Sequence, residues 1–116
     1  MLSWLFGGNK SIADIIVARD LPAGNTAAVV TIADPGDGFR IVIHKIIFSY
    51  TAAPTGGRLT ITGGLITLDV DITNSGPGVL TLSWPIAKST ASVITLAAGG
   101  GVIAGKLNVI YSVERT

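Results

Sequence analysis

The chain has no cysteine, one histidine and one methionine, and only 13% of its 116 residues are charged, against about 25% in an ordinary soluble domain. Without cysteine there can be no disulfide, thiolate nucleophile or Cys-ligated zinc, and nothing in the chain reports its redox compartment. With a single imidazole, nucleophile-base-acid chemistry has one candidate base, His44. Eight Lys and Arg against seven Asp and Glu leave a net charge of +1, which gives no long-range field to gather nucleic acid or an anionic membrane. Long apolar runs are also lacking. Residues 1–6 (MLSWLF) lack a basic flank, and Gly7, Gly8, Asn9 and Lys10 interrupt them well short of the ~20 residues of a membrane span. Neither secretion nor insertion is implied.

Glycine and β-branched residues are abundant. Fifteen glycines and five prolines fall mostly between short runs of Val, Ile, Leu and Thr, the punctuation of an all-β domain with tight turns. Residues 26–33 form one such run, ended by Asp34-Pro-Gly-Asp-Gly38, whose Pro pre-sets φ and whose glycines accept positive φ. From Phe39 to Tyr50 the inward parity changes: Phe39, Ile41 and Ile43 share one face, Ile46, Phe48 and Tyr50 the other. One extra residue exchanges the faces of a strand, so a bulge is expected at His44 and Lys45.

Further strands are expected at 58–62, at 66–73, at 79–84 up to a break at Pro85, at 91–98 and at 102–113. In 66–73, Ile66, Leu68, Val70 and Ile72 alternate with Thr67, Asp69, Asp71 and Thr73, the pattern of a half-buried strand. Gly63-Gly64 and Gly99-Gly100-Gly101 read as hairpin turns. Residues 11–19 mix helical spacing with the β-branched Ile15-Ile16-Val17, and strand is favoured. The sum is about seven or eight short strands at sandwich spacing, which predicts an antiparallel, jelly-roll-like β-sandwich. It would occupy residues 11–116 as one domain, with residues 1–10 as an extended N-terminal arm. At this length about two-thirds of the unfolded surface can be buried, enough for one core.

The chemistry-bearing residues are sparse. His44 lacks an accompanying nucleophile motif and reads as a histidine satisfied at a sheet edge or subunit contact. Asp69 and Asp71 would project from one strand face about 7 Å apart, a spacing that suits a hydrated cation but is also an ordinary solvent face. The Asp34–Gly38 turn lacks the spacing and closing Glu of a calcium loop. The few aromatics are not interleaved with basic residues, so they read as core rather than as stacking platforms. No catalytic residue, metal or cofactor is assigned.

What remains is an apolar surplus. Mean hydropathy is positive, and Ile41-Val-Ile43 and Ile46-Ile-Phe48 are apolar on both faces, so subunit contacts are expected to cover the outside. Three stretches carry a resemblance: residues 43–61 (IHKIIFSYTAAPTGGRLTI), 70–78 (VDITNSGPG) and 95–109 (TLAAGGGVIAGKLNV). Across roughly residues 26–113 the chain resembles small β-sandwich virion proteins of tailed bacteriophages, of the capsid-decoration or head-fibre type. That resemblance implies a homo-oligomer such as a trimer, made in the bacterial host cytoplasm and seated on the lattice of the major capsid protein at the virion exterior. It implies no enzymatic activity, cofactor, nucleic acid or membrane partner. The arm residues Leu2, Trp4, Leu5 and Phe6 are the candidate lattice contacts. The alternative is a tail or fibre-tip module that binds a host-surface glycan in a shallow groove through Trp84, Tyr50 or Asp69 and Asp71. A metal-assisted hydrolase built on His44, Asp69 and Asp71 ranks third.

Overall fold

The structure is a computed structural model that describes residues 15–63, 67–88 and 90–115, with the backbone alone at 83–88. Eight strands run in chain order: β1 (Ile16–Asp20), β2 (Ala28–Ile32), β3 (Phe39–Tyr50), β4 (Gly57–Thr62), β5 (Leu68–Ile72), β6 (Gly78–Lys88), β7 (Ser92–Leu96) and β8 (Gly105–Arg115). No helix occurs among the described residues. The front sheet has the order β1-β8-β3-β6 and the back sheet β2-β7-β4-β5, with every neighbour antiparallel. First pairs with last, second with seventh, third with sixth and fourth with fifth. This is a long hairpin rolled into two sheets, the jelly roll that strand count and spacing anticipated.

Alternation places the core. Val30 and Ile32 of β2, Leu59 and Ile61 of β4 and Ile94 and Leu96 of β7 face Ile41, Ile43 and Ile46 of β3 and Leu107 and Val109 of β8. Each such side chain contributes about 1.5–3 kcal/mol by leaving water. The bulge falls where the parity change put it: the ladder slips between Ile43 and Lys45 against both β8 and β6. Ile41 and Ile43 therefore enter the core before His44, and Ile46 and Tyr50 after it.

Four expectations need correction. Pro85 does not end its strand, because β6 runs on to Lys88 with Pro85 opposite Val42. β6 is the outer strand of the front sheet, so the missing N–H of Pro85 can face away from the ladder, and the register shift between Ile41 and Val42 absorbs the irregularity. β5 is less buried than its pattern suggests. It is also an outer strand, with Ile72 buried but Val70 39% exposed. Gly99-Gly100-Gly101 is not a hairpin turn, since β7 and β8 lie in different sheets and the glycines carry the chain across the sandwich edge. Gly63 does open the β4–β5 hairpin, at φ +87°. Finally, the strand expected from Val102 begins at Gly105, and Val102 is 92% exposed in the preceding turn.

Candidate functional site

His44 sits on the bulge of β3, between β8 and β6, and so on an interior strand, which overturns the sheet-edge half of the expectation of a sheet edge or subunit contact. Its Nε2 lies 2.9 Å from Ser112 Oγ of β8, and Ser112 donates in turn to Glu114 Oε2 at 3.1 Å. The other carboxylate oxygen, Oε1, is 3.6 Å from Arg40 Nη2. With the serine proton committed to the carboxylate, Oγ is left to accept from His44 Nε2–H. The order is histidine, serine, carboxylate, whereas acyl-transfer triads need the acid on the far nitrogen of the base. Ser112 is also only 1% exposed, which leaves no approach for an acyl group. What this arrangement does is tie the bulge to β8 and satisfy a buried hydroxyl.

Asp69 and Asp71 project outward from β5, and Arg58 of β4 stands opposite Asp71 in the ladder. Arg58 Nε lies 3.3 Å from Asp69 Oδ1 and 3.4 Å from Asp71 Oδ1. A guanidinium thus occupies the place where the spacing alone suggested a hydrated cation. All three side chains are more than half exposed, so these pairs hold the face only weakly. Among the described residues no group of three or more His, Asp or Glu could hold a metal ion. Beside Arg58 and Asp71 a shallow cleft of about 490 Å³ is lined also by Pro54, Gly57, Ile72 and Thr73.

The groove residues expected for a glycan do not all converge there. Tyr50 is buried, and its phenol donates to the carbonyl of Ala97, which lines the cleft, at 2.6 Å. Burial pushes its pKa up, opposed by a hydrogen bond from the Arg58 backbone. The Trp84 side chain and the arm residues Leu2, Trp4, Leu5 and Phe6 lie outside the described residues.

The third feature is apolar. Ile15, Val17 and Leu21, on and beside β1, are 61%, 59% and 52% exposed, and Val79 of β6 is 58% exposed. Val17 stands opposite Ile110, and Val79 opposite Ile47, with both pairs on the outer side of the front sheet. β1 and β6 each have one ladder neighbour among the described strands. An open sheet edge and an apolar face coincide, the combination that recruits another chain. The apolar surplus expected on both faces of β3 is covered there, with Val42 buried and Ile47 half-buried, and the exposed apolar residues of the front sheet lie on and beside β1 and on β6 instead. Arg58, Arg40, Ser112 and Glu114 were not legible as partners because those pairings cross strands.

No known protein family and no curated protein sequence matches the chain. Among similar solved structures is the crystal structure of FLHE, 14% identical, with a TM-score of 0.34 over 88% of this chain and 98% of that one. Likeness at this level carries no argument about function.

Proposed function

We propose that this chain is a non-enzymatic structural protein of a tailed bacteriophage, a homo-oligomer that decorates and stabilises the outside of the capsid. The observation that carries this reading is the exposed apolar set Ile15, Val17, Leu21 and Val79, on and beside the outer strands of the front sheet. A front sheet with such a face, whose outer strands β1 and β6 each have one ladder neighbour among the described strands, is suited to contact rather than to isolation in water. The sequence resemblance to phage virion β-proteins supports the station. The jelly-roll topology is compatible with it, being shared by viral capsid and lectin domains, though topology alone does not assign a role. The cleft beside Arg58 and Asp71 favours a second reading, a tail or fibre-tip module for a host glycan, because it sets a donor and an acceptor side by side for sugar hydroxyls.

Protein quantification of purified particles tests both. A lattice-wide decoration protein is expected at many copies per particle, in multiples set by shell symmetry. Fewer than about a dozen copies rejects the decoration role and favours the fibre-tip reading.

A further inference from the structure

The net charge of +1 conceals a division between the two sheets. Front-sheet strands carry Arg19, Arg40, Lys45, Lys88, Lys106 and Arg115 against only Asp20 and Glu114; back-sheet strands carry Arg58 against Asp69 and Asp71. Two more carboxylates, Asp34 and Asp37, sit in the β2–β3 loop. The absence of a field expected from the total charge therefore does not hold face by face.

Several front charges are already spoken for. Glu114 pairs with Arg40, Asp20 accepts from Val29 N at 2.9 Å, and Arg115 lies 5.9 Å over the Phe39 ring. Arg19, Lys45 and Lys106 are exposed, and no ion pair holds them among the described residues. The register sets them on neighbouring strands, with Arg19 opposite Asn108, Lys45 opposite Ile110 and Lys106 opposite Ser49. At ordinary strand spacing and rise they lie about 8–14 Å apart. Between and beside them are Val17, Ile110, Ile47 and Val79, the apolar set of the same face. An apolar face with unpaired cations set among its side chains, Lys45 and Lys106 on the inner strands and Arg19 on β1, fits a partner that brings carboxylates interspersed with apolar side chains of its own.

This chain carries such a surface. On the outer side of the back sheet, Asp69 and Asp71 exceed Arg58 by one charge, and Val29 of β2, opposite Thr95 of β7, is 41% exposed. A two-fold contact of front on front would oppose cations to cations, and like-charge juxtaposition disfavours it. We propose that copies of this chain associate front to back, the cationic apolar face of β1, β8, β3 and β6 of one copy seated on the carboxylate-bearing back sheet of the next. The inference rests on the homo-oligomer reading above and names its interface. A face only four strands wide is at the small end of specific interfaces, so association must be read over a concentration series.

Sedimentation velocity of the full chain, at about 50 mM and about 500 mM salt, tests it. The wild type is expected to associate, and less tightly at high salt. Reversing the front (R19E, K45E, K106E) or the back (D69K, D71K) should each weaken association by more than about tenfold. Combining all five substitutions restores complementarity and should restore association. Circular dichroism checks that each variant is folded, and K45E and D69K, each at an exposed residue, replace any multiple variant that is not. Association indifferent to these reversals, or a five-fold variant that stays apart, overturns the front-to-back contact and leaves another homo-oligomer standing. A wild type that is monomeric throughout overturns both.

Discussion

Tyr50 ends β3 with its ring in the core and its hydroxyl on the carbonyl of Ala97. Two consequences can be separated by one substitution. Tyr50→Phe keeps the ring but leaves that carbonyl without its donor, which should cost about 0.5–1.5 kcal/mol at neutral pH. Burial raises the folded-state pKa of the phenol above its unfolded value, which is about 10. The folded state therefore holds the proton more tightly, and the wild type should lose stability as pH rises past about 10 and through the folded value. The Phe variant lacks that titration, so denaturant curves at pH 7 and above pH 10 should show the gap between the two proteins narrowing. A gap that stays constant across that range would mean the phenol is not desolvated by the fold. The His44–Ser112 bond spans 68 residues of sequence, so no local pattern around His44 could have named its partner. What was legible at His44 was the backbone irregularity, since a change of side-chain parity is written in consecutive residues.

At the scale of strands, the sequence exposes periodicity but hides position in the sheet. Residues 39–50 were readable as one bulged strand because Ile41, Ile43, Ile46 and Tyr50 all find the same core. Pro85 looked like a terminator because proline is incompatible with an interior strand. β6 is an outer one, and that fact lives in the pairing rather than in the segment. Val70 has the alternation of an inward residue yet is 39% exposed, again because β5 is outermost. These positions have a measurable consequence. Among the described strands, β3, β8, β4 and β7 are hydrogen-bonded on both sides, whereas β1, β2, β5 and β6 are bonded on one. In dilute protein, amide exchange from the ladders of β3 and β8 should require global unfolding, while β1 and β5, only five residues each, open locally and exchange at least about tenfold faster. Uniform protection across all eight strands would contradict this gradient.

For the whole molecule, the rolled-hairpin order makes every pairing except β4·β5 join strands distant in the chain. The first and last described strands are nonetheless neighbours. β1 runs antiparallel to β8 with Ile16 opposite Tyr111, so the start of β1 and the end of β8 lie at the same end of the front sheet. Among the described strands the hairpin within a sheet is β4–β5, and Thr62 and Gly63 at its start are both exposed. A circular permutant that begins at Gly64, ends at Gly63 and joins Thr116 to Met1 would keep all eight described strands and every ladder between them, with Thr116 and residues 1–15 as the new connection. Because loop closure costs grow only slowly with length, such a chain should fold with an unchanged far-UV spectrum and a single cooperative transition, losing about 1–2 kcal/mol. The same cut placed inside β8 would remove partners from β1 and β3 together and take Leu107 and Val109 out of register, so that variant should not fold. If the Gly64 permutant were instead non-cooperative while the wild type unfolds in one step, the β4–β5 hairpin would be needed to bring the distant pairs together. The roll would then depend on that turn rather than on the matching of its two inner faces.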